Sequence, residues 1–243
     1  SDLASLQTSG VLDGDEWVVN GQKIWTSTAQ FADWMFCLVR TDPTVPKHQG
    51  ISFLLFSMET PGIDVRPLKT MTGDATFNEV FFTDVRVPHD QIVGAPGDGW
   101  AVANRLLGYE RDSLADPNAM LTRFNALVEL MKTETVDGKR LIDNAAYRDR
   151  LMKIQGAVMA LRMNDLRLLS ARVNKQVLPL PTMIVKLNGT ELRHELEKLA
   201  IDALGELGLL YEDSPYLRAE GSWQYMYMFY LGLIIGGGTS QIQ

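Results

Sequence analysis

Asp15-Glu16-Trp17-Val18-Val19-Asn20-Gly21-Gln22-Lys23-Ile24-Trp25-Thr26-Ser27 decides how the first part of the chain is read. Glu16 to Val19 is a short run rich in strand formers. Asn20-Gly21 is the dipeptide favoured in two-residue hairpin turns, because both residues tolerate positive φ. Lys23 to Thr28 then reads as the returning strand. Further out, Trp34 to Arg40 (WMFCLVR) and Gly50 to Ser57 (GISFLLFS) are compact apolar strands flanking a proline-bearing loop at Asp42 to Lys47. Thr60-Pro61-Gly62 marks another turn, and Phe77 to Val87 (FNEVFFTDVRV) ends at Pro88. Turn signals every ~8–12 residues between β-rich runs predict an antiparallel sandwich or barrel over residues 1–95.

The pattern changes after Pro96-Gly97-Asp98-Gly99. Trp100 to Leu114, Ala119 to Lys132, Ala145 to Lys175, Met183 to Leu204 and Gly221 to Ile235 carry apolar residues at helical spacing. In the fourth segment, Ile184, Leu187, Leu192, Leu196, Leu199 and Ala203 form the stripe expected to face a core. Gly205 and Gly208 stand at helix-stop positions. Long helices with short links predict an up-down bundle over residues 96–243. The fold class is therefore α+β, strands first and helices second, with no internal repeat.

The chain has 243 residues, 46% hydrophobic and 22% charged, enough for one large or two modest cores. A net charge of −7 without a basic stripe argues against nucleic acid. The single cysteine, Cys37, excludes a disulfide framework and points to a reducing, cytoplasmic setting, or the mitochondrial matrix in a eukaryote. The longest apolar run, Tyr225 to Ile235, is too short to span a bilayer. No signal peptide is visible. Ser1 reads as a cut edge, since no initiator Met precedes it and the chain opens mid-pattern. There is no G-x-x-x-x-G-K-[ST], no G-x-G-x-x-G after a strand and no H-E-x-x-H. His48, His89 and His194 lie far apart and read as surface histidines, so no metal site is expected. Asn188-Gly189-Thr190 matches a glycosylation sequon but falls inside a predicted helix.

Three features carry candidate chemistry. On the first helix, Ala103, Leu106, Leu107 and Leu114 form an apolar stripe, and Glu110 sits within it, without a lysine or arginine at i±3 or i±4. A carboxylate facing a core costs several kcal/mol unless something satisfies it, and burial raises its pKa, as a general base needs. A rim carboxylate, or one paired with an arginine of another helix, is the alternative. Second, Trp25 followed by Thr26, Ser27 and Thr28 offers a flat face and hydroxyls, as for a planar heteroaromatic ring; the alternative is a core tryptophan beside a turn. Third, Ile234 to Gln241 contains Gly236-Gly237-Gly238, which lets backbone N–H groups approach a ligand; the alternative is a helix cap followed by a linker.

Asp15 to Ser27, Asn78 to Pro88 (NEVFFTDVRVP) with Gly94 and Gly99-Trp100, and Gly238 to Gln243 together resemble, in order, three signatures of the acyl-CoA dehydrogenase family. Ser1-Asp2 resembles the end of that family's glycine-rich loop. The resemblance implies a flavoprotein with N-terminal helices, a central β domain and C-terminal helices, of which the last two are represented. It also implies that the chain stops short of the usual C-terminal tail. Members bind FAD and oxidise acyl-CoA to 2-enoyl-CoA. A carboxylate removes the α-proton, a hydride goes to flavin N5, and electrons pass to an electron-transfer flavoprotein. The thioester carbonyl is polarised by the flavin ribityl hydroxyl and a backbone N–H.

By this resemblance Trp25 flanks the flavin ring, with Thr26 beside it, and Ser27 bonds near N5 or O4, where many members have threonine. Thr239 and Gln241 contact the FAD phosphate and adenosine side. Ser1 and Arg111 lie on the acyl-CoA side. Most members carry the catalytic glutamate just before the last Gly-Thr, but here that residue is Gly237, which offers only its backbone N–H to the thioester carbonyl. A minority place the base on the first helix after the β domain, in a Glu-Arg dipeptide, and Glu110-Arg111 matches. Many members also carry R-x-x-F-G where Val136-Asp137-Gly138-Lys139-Arg140 stands, which puts the usual homotetramer in doubt and leaves a homo- or hetero-oligomer open. Gly205 to Leu210 (GELGLL) loosely matches a loop that approaches FAD phosphates. Alternatives on the same fold are a non-catalytic partner subunit and a flavin monooxygenase or nitroalkane oxidase.

Overall fold

The computed structural model describes residues 2–114, 116–176 and 179–242, and the side chains of residues 109–114 and 179–183 lie outside the described set. The chain divides into two compact units, Ser1–Gly108 and Tyr109–Gln243. The first unit is built on β1 (Ser9–Asp13), β2 (Glu16–Ser27), β3 (Trp34–Arg40), β4 (Ile51–Ser57), β5 (Ile63–Leu68) and β6 (Phe77–Pro88). These form one six-stranded sheet in the order β4-β3-β1-β2-β6-β5. Pairing is antiparallel except between β1 and β3, which meet in parallel at Ser9 and Arg40.

The expected hairpin at Asn20-Gly21 does not exist. β2 runs through it as one strand of 12 residues. The tight turn lies upstream, where Asp13 pairs with Glu16 around Gly14. At Asn20-Gly21 the register against β6 shifts, a β-bulge, and Gly21 takes φ 134°. The misreading has a physical cause, because the backbone freedom that suits Asn-Gly to a turn also suits it to a bulge. A Cβ on Gly21 would lie 2.8 Å from Thr8 Cα. Gly21→Ala is therefore expected to lower the stability of the full-length protein by about 1–3 kcal/mol, read as a lower thermal midpoint with an unchanged far-UV spectrum.

The sheet curls over itself. Four inter-strand steps separate β4 from β6 in a flat sheet, or about 19 Å. Yet the rings of Phe56 on β4 and Phe82 on β6 meet edge-to-face at 5.9 Å. Between them lies a core of Trp17, Val19, Cys37, Val39, Leu54, Val80, Val85 and Val87. The opposite face of β3 and β4 holds a second core, in which Leu38, Ile51 and Phe53 pack against Ala103, with Trp100 and Val102 beside them. Ala103 belongs to α1 (Gly99–Leu114), so β4 is buried on both faces.

The second unit holds α2 (Pro117–Thr133), α3 (Ala145–Val173), α4 (Pro179–Leu204) and α5 (Ser222–Ile235), close to the predicted spans. Asp116 caps α2 ahead of Pro117, and Asn144 caps α3. Between α2 and α3, β7 (Thr135–Val136) and β8 (Lys139–Arg140) make a small hairpin on Asp137-Gly138, both at positive φ. Met120, Phe124, Leu127 and Met131 of α2 meet Leu151, Ile154, Val158 and Leu161 of α3 and Leu196, Leu199 and Ala203 of α4 in one core. Gly205, at φ 58°, ends α4, and a Cβ on Gly208 would sit 2.5 Å from the Ile201 carbonyl.

Two expectations fail in this unit. Ile184 of the predicted stripe is 42% exposed, while Lys186, Thr190 and Glu197 are buried. α4 packs against α2, α3 and α5 and is covered on more than one side. His194 is half-buried and not fully on the surface: its ring stacks on Tyr227 at 4.9 Å, and its Nδ1 is buried. Among the described residues no group of His, Cys, Asp or Glu could hold a metal ion, and no helix is long and apolar enough to cross a membrane.

Candidate functional site

Trp25 lies at the second irregularity of β2, where the register against β6 shifts between Lys23 and Thr26. Its backbone is left-handed, φ 63°, which a bulky residue adopts only when its surroundings enforce it. Those surroundings are specific. Asn78, fully buried on β6, donates through Nδ2 to the Thr26 carbonyl at 3.0 Å, and Phe77 meets the Trp25 ring edge-on at 5.9 Å. The strained bulge turns the indole outward, and Trp25 is 61% exposed, which excludes the core-tryptophan alternative. Thr26 is half-buried and Ser27 exposed beside it.

The glycine cluster lies in the second unit. The Gly236 N–H donates to Gly232 O at 2.9 Å and closes α5. Gly237 and Gly238 then take φ 67° and 113°, which side-chain-bearing residues avoid. Thr239 is half-buried, Gln241 is exposed, and the Ser240 hydroxyl donates to Glu191 Oε1 at 2.7 Å. The buried Lys186 reaches the same loop: its Nζ donates to the carbonyls of Ile234 (3.0 Å) and Gly238. The segment thus caps a helix, as the alternative reading held, but it is tethered to α4 and is not a loose linker.

Glu110 and Arg111 lie on α1, and their side chains, like Ser1, fall outside the described residues. Of the stripe thought to enclose Glu110, Ala103 is buried but Leu106 is 40% exposed. The apolar surround inferred from spacing is therefore open at Leu106. Lys186, Glu191 and Asn78 were missed by motif reading. The available signal was Lys186, Thr190, Arg193 and Glu197 at i, i+4, i+7 and i+11, one face of α4.

Comparison with known proteins identifies the scaffold. The acyl-CoA dehydrogenase middle-domain model matches residues 1–85, and the acyl-CoA dehydrogenase C-terminal-domain model matches residues 97–243. The chain belongs to the acyl-CoA dehydrogenase family. It is 37% identical to acyl-CoA dehydrogenase IpdE1 of Mycobacterium tuberculosis over 245 residues, covering all of this chain and 61% of that protein. Another M. tuberculosis relative, acyl-CoA dehydrogenase FadE34, is 38% identical, with 32% of its length covered. The chain thus spans at most about three-fifths of these relatives. Among solved structures, the Tcur3481-Tcur3483 steroid ACAD superposes with a TM-score of 0.90 at 28% identity, over 99% of this chain and 62% of that one. The ChsE4-ChsE5 complex from M. tuberculosis superposes with a TM-score of 0.86 at 34% identity, with the same coverage.

Both the segment that lacks R-x-x-F-G and the segment that loosely matches a phosphate-approaching loop are well formed. Val136–Arg140 closes as the β7–β8 hairpin, and Gly205–Leu209 is a 3-10 turn at the end of α4.

Proposed function

We propose that the full-length protein is an FAD-dependent acyl-CoA dehydrogenase converting an acyl-CoA thioester to 2-enoyl-CoA, with Glu110 as the base for the α-proton. The observation carrying this reading is Gly237. The position before Gly-Thr, where most members keep glutamate, bears no side chain, while the first helix after the strands carries Glu110-Arg111.

The donor set fits FAD. An outward-turned indole beside two hydroxyls suits the face and polar edge of an isoalloxazine ring, which assigns that role to Trp25, Thr26 and Ser27. A hydroxyl and a carboxamide on a glycine-bent loop suit phosphate and adenosine oxygens, which assigns Thr239 and Gln241. When bound, FAD supplies the acceptor for the hydride leaving the β-carbon. The Gly237 N–H donates to the thioester carbonyl, drawing charge from the α-carbon and acidifying its proton. Glu110 then accepts that proton, and Arg111 and Ser1 stand on the acyl-CoA side. An electron-transfer flavoprotein is the final acceptor. The missing side chain at Gly237, and the likeness to a protein described as a steroid ACAD, favour a bulky acyl group.

Gly237 also favours a second reading, in which this chain completes the site of a different subunit. The likeness to a protein solved as a ChsE4-ChsE5 complex supports a mixed oligomer. An anaerobic titration of the full-length chain, expressed alone, with a panel of acyl-CoA thioesters separates the two. Bleaching of the flavin absorbance by bulky acyl-CoA is expected. A protein that purifies without flavin and shows no bleaching is a partner subunit. Oxygen consumption without an added acceptor would instead mark an oxidase.

A further inference from the structure

Lys186 is 1% exposed, one of the largest fully buried side chains of the molecule. A buried ammonium costs several kcal/mol unless its protons are taken up. Here the acceptors are backbone carbonyls at one place. Ile234 O belongs to the last turn of α5, where carbonyls lack helical partners and the helix dipole is negative. Gly238 O lies beyond the helix, in the glycine loop. Four residues further along the loop-facing side of α4, Thr190 Oγ1 donates back to Lys186 O at 3.0 Å. Glu191 then accepts the Ser240 hydroxyl at 2.7 Å. The loop is held on both sides of Thr239.

We propose that α4 clamps the glycine loop through Lys186 and Glu191, and that this clamp sets the direction of the Thr239 amide, on the part of the loop that meets the cofactor. The proposal rests on the flavin reading above for the identity of what is met. The geometric link is the peptide plane. In a trans peptide the carbonyl and the following N–H point to opposite sides. With Gly238 O turned to Lys186, the Thr239 N–H points away from α4. Burial also lowers the pKa of Lys186, and the charge of Glu191 opposes that effect, so the two clamp residues support one another. Lys186 and Glu191 are positioning residues, acting through the loop and not on the reacting atoms.

The test uses the full-length protein and two variants. Lys186→Met keeps the buried stem and removes the ammonium; Glu191→Gln weakens the clamp at an exposed position. Amide hydrogen exchange in the ligand-free protein is read first. In Lys186→Met, residues 236–242 are expected to exchange at least about tenfold faster, with α2 and α3 unchanged. Glu191→Gln shows a smaller acceleration confined to the same residues. Unchanged exchange there in both variants, or acceleration spread evenly over the helices, overturns the clamp. If Lys186→Met does not fold, Glu191→Gln decides alone by the same criterion. FAD affinity is read second, and the dissociation constant of Lys186→Met should rise at least about tenfold. A faster loop with unchanged FAD affinity removes the clamp from the cofactor site. A wild-type protein that takes up no FAD defeats the flavin reading instead, and exchange still decides the clamp.

Discussion

Glu110→Gln in the full-length protein is expected to retain FAD and acyl-CoA binding and to lose at least ~100-fold in turnover. The substitution keeps size and polarity and removes only the ability to take a proton. With Gly237 offering no side chain, no glutamate remains at the position most members use. The loss should appear in the anaerobic reductive half-reaction, where flavin bleaching follows α-proton removal, and not in the titration that reports acyl-CoA binding. A uniform effect on both would mean that Glu110 holds the ligand and does no proton chemistry, since a group acting only in the transition state lowers turnover without weakening ground-state binding. Near-normal bleaching would remove Glu110 from the mechanism altogether. It would then favour the partner-subunit reading, in which another chain brings the base.

What the sequence made legible follows from how locally each signal acts. α2 and α3 were readable because capping residues and apolar spacing coincide: Asp116 before Pro117, Asn144 before Ala145, and Met120, Phe124, Leu127 and Met131 at i, i+4, i+7 and i+11. β3 and β4 stood out as apolar runs because β4 is buried from both sides. β5 (Ile63–Leu68) went unseen, since Ile-Asp-Val-Arg-Pro-Leu carries two charges and a proline and has no fully buried residue. The bulge at Asn20-Gly21 reads as a turn because a dipeptide cannot report whether its partner strand continues past it. Trp25 was found as a motif, yet its exposure comes from a tertiary device, the Asn78 amide on the Thr26 carbonyl, that no local pattern encodes. The burial of the polar face of α4 is hidden for the same reason. Lys186, Thr190, Arg193 and Glu197 have the spacing of an exposed stripe, and only the packing of α5 and α2 against it shows where those charges go.

The deepest of those charges gives the largest stability effect to be expected. Glu197, 0% exposed, receives Arg123 in bidentate fashion, Nε to Oε1 and Nη2 to Oε2, both at 2.7 Å. Arg123 also donates to Ser222 O at 3.2 Å and lies 3.6 Å over the Trp223 ring, so one guanidinium joins α2, α4 and the start of α5. Burial pushes the Glu197 carboxyl above its ordinary value of 4.5, and the bonds and charge of Arg123, with the charge of Arg193, pull it back only in part. The pair is thus a costly thing to bury and a costlier one to break. Arg123→Met strands a carboxylate in the core and gives up the bond to Ser222, and Glu197→Leu leaves the guanidinium without its carboxylate. Each single change should cost about 3–5 kcal/mol in urea unfolding, whereas the double replacement should return to within about 1 kcal/mol of wild type. The sign with pH follows from linkage. A native pKa above the unfolded one means the native state binds the extra proton, so stability falls as pH rises from 4.5 toward the raised native value. Arg123→Met removes the opposing cation and widens that window, so the variant should recover stability on acidification more steeply than wild type, and the double variant should lose the dependence. A double variant as unstable as the singles would show that the pair contributes through Ser222 and Trp223 and not through its own charges.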